Sequence, residues 1–303
     1  MEQWEGTLYF AENGGKTEIL GAAPEAEELV IPEEIGGRPV TQIGKKCFLN
    51  NKRLRSVVVP DSVGEIGSWA FAHCRYLEWV ELPRRELTLG REIFIGSGRL
   101  EQIRLRSTGR TGGEAFRDVP EGTAQLLAVA AVRLSMPHLL SAAEAGTKEW
   151  LRRWDARLAV LMGEDDAEGF ERFAPSGVED AGDTDAERFA SRRRREKARL
   201  AMTRLLYPAG LEESFAALLE EYLRSHTKGS ACEEAWQVLL EECDGKREYY
   251  ELFARLGCIG ADNIDAALQD LGGRHTEMKA WLLRYQAEHF AGQGLLAGLE
   301  LDF

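Results

Sequence analysis

The first third of the chain repeats itself every 23 residues, and no other feature restricts the fold as much. Ile43-Gly44, Ile66-Gly67 and Leu89-Gly90 recur at that step, as do Phe48, Phe71 and Phe94, and Leu54, Leu77 and Leu100. Val59-Pro60 and Leu82-Pro83 keep it too. Ile31-Pro32 precedes Val59-Pro60 by 28, because the first unit carries an extra Gly36-Gly37-Arg38-Pro39-Val40. A unit this short cannot bury its own apolar face. Units must stack into a solenoid with a continuous core and a parallel ladder.

One unit can be read residue by residue. The β-branched run Leu54–Val59 is expected to be a strand that stops at Pro60, since proline cannot donate to a ladder. The period of two turns Val57 and Val59 inward and Val58 outward. Val63-Gly64-Glu65-Ile66 makes a second short extended piece, and Gly67 ends it through a positive φ or a close approach of backbones. Ser68–Cys74 is expected to be a short helical turn that places Phe71 in the core. Across units, Ser56, Trp79 and Gln102 fall at one position. Arg55, Glu78 and Glu101 form an outward column, and so do Val58, Glu81 and Arg104. Trp79 precedes an inward valine, so it is either a partly exposed anchor for a partner or a packing residue against the helical half. The candidate partner-binding residues are therefore Arg55, Val58, Trp79, Glu81, Gln102 and Arg104.

The series Val59-Pro60-Asp61-Ser62-Val63, Ile66-Gly67, Ala70-Phe71, Cys74 and Leu77 resembles the leucine-rich repeat of the BspA type. That unit has the pattern I-P-x-x-V-x-x-I-G-x-x-A-F-x-x-C-x-x-L. The resemblance covers about residues 29–106, after a capping segment. Asn51 and Ser97 stand where that family prefers Cys, Cys47 and Ile93 replace its Ala, and Glu86 replaces its Val. The resemblance implies a protein-interaction role.

From Thr123 the apolar spacing becomes helical, with Leu126, Leu127, Ala130, Ala131 and Leu134 in one stripe and Trp150, Leu151, Trp154, Leu158 and Leu161 in another. Ser135 with Pro137 reads as a helix start. Residues 163–187 hold ten acids and one base, Arg172, and read as a flexible acidic linker. Helices are expected over 186–206, 211–226, 231–243, 247–257, 262–271 and 275–290, punctuated by glycines. Asp262–Asp265 with Thr276-Glu277 and Trp281–Tyr285 resembles the last pair of an ankyrin- or HEAT-like array. The fold class is thus α+β: a leucine-rich-repeat β-solenoid with an N-terminal cap over 1–118, then an all-α part. That part comprises a helical segment 119–162, the linker 163–187, a helical repeat domain 188–291 and a tail 292–303. In the tail Leu299, Leu301 and Phe303 alternate with Glu300 and Asp302; the tail is expected to fold back on its own helical domain or to be disordered, and the pattern also suits a peptide groove or an added strand.

The charge balance argues against a dedicated nucleic-acid binder: 38 basic side chains face 51 acidic ones, net −13. Arg192–Arg195, with Lys197 and Arg199, is the basic cluster, and on a helix it forms a collar rather than a stripe. It is matched either by the acidic stretch upstream or by an acidic or RNA partner. Cys47, Cys74, Cys232, Cys243 and Cys258 form no Cys-x-x-Cys pair, and reduced thiols in a cytoplasmic protein are expected. The acidic start Met1–Glu5 lacks the features of a signal peptide, and no apolar run is long enough to span a membrane. His226 with Cys232, Cys243 and Cys258 fits no zinc spacing, and Asp180, Asp183, Asp185 and Glu187 fit no calcium loop. His73 beside Cys74 is the nearest thing to a catalytic pair, yet Cys74 holds a core position. The expected function is non-catalytic protein binding or scaffolding, with a protein partner, no cofactor, no metal and no membrane. The alternative is a regulatory subunit held on nucleic acid by the basic collar, and an enzyme ranks third.

Overall fold

A computed structural model describes residues 2–5, 7–23, 26–106, 119–134, 136–168, 170, 183–243, 245–273 and 275–290. The chain divides into two units, Met1–Arg157 and Leu158–Phe303. The first opens with an antiparallel cap, β1 (Glu2–Glu5), β2 (Leu8–Asn13) and β3 (Lys16–Ala22). Then come β4 (Glu28–Val30), β5 (Glu34–Ile35), β6 (Arg38–Ile43), β7 (Ser56–Val58), β8 (Glu65–Ile66), β9 (Trp79–Pro83), β10 (Thr88–Leu89) and β11 (Gln102–Arg106).

These strands form two ladders along a solenoid of about four turns. In the first, β4, β7, β9 and β11 pair in parallel. In the second, β6, β8 and β10 do the same, and β3 of the cap joins it in parallel on β6. The register carries the sequence period: Val57 faces Val80, Val80 faces Ile103, and Ile43 faces Ile66. The five extra residues of the first unit are absorbed without disturbing either ladder. They make the hairpin between β5 and β6, whose turn is Gly36-Gly37 at φ 57° and 76°, a conformation L side chains resist.

Leu29, Val57, Val80 and Ile103 line the core, as do Ile43 and Ile66. Phe48, Phe71 and Phe94 stack face to face through it, with centroids 5.1 and 5.3 Å apart. Gly67 and Gly90 lack positive φ; close approach explains them. A Cβ on Gly67 would lie 2.5 Å from Lys45 N, and one on Gly90 2.2 Å from Ser68 N.

The segment expected to be a helical turn is a chain of tight turns with no helix in it. Its cause is a pair of left-handed residues four apart in each unit. Lys46, Trp69 and Glu92 form one set (φ 59°, 60° and 51°), and Asn50, His73 and Gly96 the other (φ 59°, 57° and 72°). A helix cannot pass through such positions. Each turn instead hydrogen-bonds to the next: Phe48 N–H donates to Ala70 O at 2.7 Å and Phe71 N–H to Ile93 O at 3.0 Å.

Ser97, at the repeat's cysteine position, does the cysteine's work. The Cys74 thiol donates to Phe48 O at 3.0 Å, and the Ser97 hydroxyl donates to Phe71 O at 2.7 Å, the same reach of 26 residues. Ser97 Oγ also accepts from Cys74 N–H at 3.0 Å. Ser97→Ala leaves a buried amide and carbonyl unpaired, so we expect a loss of about 1–3 kcal/mol in urea titration. Ser97→Cys retains a donor at the same place and is expected to cost under about 1 kcal/mol. Equal losses in the two variants would show that the hydrogen bonds carry no weight.

The helices are α1 (Thr123–Val129), α2 (Lys148–Gly163), α3 (Asp183–Leu206), α4 (Glu213–Ser225), α5 (Glu234–Glu242), α6 (Arg247–Arg255), α7 (Ile264–Leu271) and α8 (Thr276–His289). A π turn, Ala130–Leu134, extends α1, and the expected start at Pro137 is a short 3-10 turn, Pro137–Leu140. Trp154 Nε1–H donates to Leu126 O at 3.1 Å and Trp150 Nε1–H to Leu139 O at 2.9 Å. Both indoles tie the start of α2 back onto the preceding turns, so the first unit reaches Arg157, past residue 118. In the second unit the long α3 packs against α4, α5 and α6, while α7 pairs with α8. The tail 292–303 and most of the stretch 163–187 lie outside the described residues.

Candidate partner-binding face

The β4-β7-β9-β11 ladder sets its outward residues in columns about 5 Å apart from strand to strand. One runs Glu28, Ser56, Trp79, Gln102, with Ser56 buried under its neighbours, and the other Val30, Val58, Glu81, Arg104. Five of the six residues singled out from sequence lie in these two columns. Arg55 stands just before β7, where its guanidinium bridges Glu78 at 2.8 Å and Glu27 at 3.8 Å.

Trp79, Gln102 and Arg104 form one cluster. Arg104 lies over the Trp79 ring, its guanidinium carbon 4.3 Å from the centroid, and its Nε donates to Gln102 Oε1 at 2.8 Å. Trp79 and Gln102 are half-buried and Arg104 is exposed. The stacked guanidinium retains free donors while the aromatic ring holds its plane. Glu81 is held by Arg106 at 2.7 Å. Arg106 also reaches Asp61 at 2.9 Å and Val59 O at 2.7 Å. Burial works against the Arg106 charge, yet its bonds to Asp61 and Glu81 outweigh that and raise its pKa. Val58 is half-buried, whereas Val30 beside it is 69% exposed.

Arg106, Asp61 and Val30 belong to this face and sequence reasoning passed over them. Arg106 lies two residues beyond Arg104, so strand alternation places it on the same side. Asp61 sits in a turn, and only the fold brings it to Arg106.

Five of the six basic side chains of the collar on α3 pair with acids of their own chain, and Arg192 is exposed. Arg193 pairs with Glu164, and Arg194 with Glu187 and, at 2.6 Å, with Glu234. Arg195 pairs with Glu241 and Glu242, Lys197 with Asp166 at 2.7 Å, and Arg199 with Glu242. The upstream acidic stretch supplies Glu164, Asp166 and Glu187, and α5 supplies the other acids. Burial opposes the Arg194 charge, but hydrogen bonds with Glu234 and Glu187 prevail and raise its pKa.

Cys74 is fully buried and His73 beside it is exposed, so the two do not form a pair. Burial pushes the Cys74 thiol up to about 11, which keeps it protonated at neutral pH. Cys243 and Cys258 are buried, and among the described residues no three His, Cys, Asp or Glu side chains gather to hold a metal. No described helix is long and apolar enough to cross a membrane.

Residues 40–121 match the family model of the BspA type leucine rich repeat region. Solved structures similar to parts of the chain include proteins described as leucine rich. A leucine rich cell surface protein from Faecalibacterium prausnitzii A2-165 is 29% identical over 35% of this chain and 32% of that one, with a TM-score of 0.31. A leucine-rich repeat protein from Bacteroides capillosus ATCC 29799 is 21% identical over 35% of this chain and 98% of that one, TM-score 0.29. The leucine rich repeat protein of T. pallidum is 21% identical over 39% and 67%, TM-score 0.28. The chain spans about a third of the F. prausnitzii protein. No curated protein matches the chain.

Proposed function

We propose that this chain is a non-catalytic protein-binding protein that engages its partner through the outward face of the β4-β7-β9-β11 ladder. The observation that carries the reading is the Trp79-Arg104-Gln102 cluster beside the Glu81-Arg106-Asp61 network. Aromatic and arginine side chains dominate binding energy at interfaces, most of all where their geometry is fixed beforehand. A repeat region of this type favours the same reading, since stacked repeats offer an extended surface. The helical unit then serves as a second docking surface, in the manner of an ankyrin- or HEAT-like array. Five free thiols suit a cytoplasmic setting.

The test is affinity capture from native lysate, with the full chain and the Trp79→Ala/Arg104→Glu variant as baits. The variant is expected to lose at least one partner that the unaltered chain retains, with affinity lower by about tenfold or more, in keeping with loss of a central aromatic anchor. Identical partner sets on both baits would sink the proposal.

A further inference from the structure

On the edge formed by the stacked turns, away from the ladder, the charge reverses sign. Three turns, residues 44–53, 67–76 and 90–99, lie in register through hydrogen bonds such as Asn50 N–H to Ala72 O (2.8 Å) and His73 N–H to Ile95 O (2.7 Å). They present Lys45, Lys46, Lys52, Arg75, Arg91 and Arg99, all exposed, besides Arg53, which is paired with Glu27. Glu92 is the one carboxylate within these turns, and it accepts from the Trp69 indole N–H at 2.8 Å. A net positive edge on a chain of net charge −13 is a local field, not an average.

Apolar side chains interrupt this edge at repeat spacing. Leu49 and Ile95 are 40% and 39% exposed, and the equivalent residue between them is the buried Ala72. The aromatic rings of the edge already carry cations: Lys45 and Lys46 lie 5.2 and 5.6 Å from the Trp69 centroid, and Arg99 lies 5.2 Å from that of Tyr76. They fix ammonium and guanidinium groups in place.

We propose that this turn edge is a further binding surface, one that takes an acidic polypeptide segment whose carboxylates alternate with apolar side chains. Carboxylates meet the fixed cations, and apolar side chains pack on the exposed Leu49 and Ile95. The surface shares no residue with the ladder face, so either can fail while the other stands.

The probe is a fluorescent peptide of alternating glutamate and leucine, titrated into the full chain and read by anisotropy. The Lys45→Glu/Lys52→Glu/Arg75→Glu variant should bind it about tenfold more weakly or worse, and salt near 0.5 M should weaken it similarly. Leu49→Ser should weaken it about threefold, the effect of one lost apolar contact. The milder triple glutamine variant should shift affinity in the same direction, which guards against misfolding of the charge-reversed chain. Trp79→Ala should leave peptide binding unchanged. The proposal is overturned if the charge variants bind as the unaltered chain does, or if a glutamate–serine peptide binds equally well. Tighter binding of oligothymidine or of phosphatidylglycerol vesicles, lost in the same variants, would also overturn it.

Discussion

Phe71→Ala is expected to destabilise the first unit by about 3–5 kcal/mol, the range for truncating a fully buried aromatic. Phe71 has no exposed surface and stacks on both sides, on Phe48 and on Phe94. Aromatic stacking adds about 0.5–1.5 kcal/mol per pair beyond the area buried. Phe48 and Phe94 each stack on one ring of this spine, so the same truncation there should cost less. Because every coil is stabilised through its neighbours, a hole at the centre uncouples the stack instead of loosening one turn. Urea titration followed by circular dichroism measures the loss. A change under about 1 kcal/mol, or one no larger than at Phe94, would show that the ring stack adds nothing.

Gly90→Ala is expected to cost about 2–3 kcal/mol or more, at the upper end of the range for overpacking. The new methyl would meet Ser68 N at 2.2 Å, and Gly67 C and Ser68 Cα at 2.6 Å. All three are backbone atoms, which cannot swing aside as a side chain can. Relief requires the coils to part, and that pulls on the bond from Gly90 N–H to Ile66 O at 2.8 Å and on the β8–β10 pairing. Gly98 supplies the control. It lies in the same coil, has no heavy atom within 4 Å of an added Cβ and lacks positive φ. Gly98→Ala should stay within about 0.5 kcal/mol. Equal effects at the two glycines, in the same titration, would remove the case for close backbone approach.

The parts of this structure that repeat were legible in the sequence, because a repeated apolar residue can only be a column in a stack. Phe48, Phe71 and Phe94 showed the spine, and Ile43-Gly44, Ile66-Gly67 and Leu89-Gly90 showed where coils approach. Both ladders follow from the step of 23, and even the change to 28 resolves into a hairpin. What stayed hidden depended on conformation or on distance along the chain. Trp69, Glu92, Lys46 and His73 adopt left-handed φ without being glycine, so no residue type announced the tight turns. At the ladder face, alternation gave the columns of Trp79, Glu81, Gln102 and Arg104, but not the stacking of Arg104 over Trp79. Asp61 lies 45 residues from Arg106, and only the winding of the solenoid unites them. The collar was similar: its upstream acids could be read locally, whereas Glu234, Glu241 and Glu242 came from a helix about 40 residues on.

A parallel ladder has no natural end. Each strand presents an unpaired row of N–H and C=O groups to whatever comes next, and another copy of the same chain fits that row well. Among the described residues β11 is the last strand of its ladder, and α1 packs against it with Thr123, Leu126, Leu127 and Ala128 buried. α1 therefore acts as a terminator of growth as well as a piece of core. It covers the edge on which another coil would stack, and so separates a finite coil from a fibre.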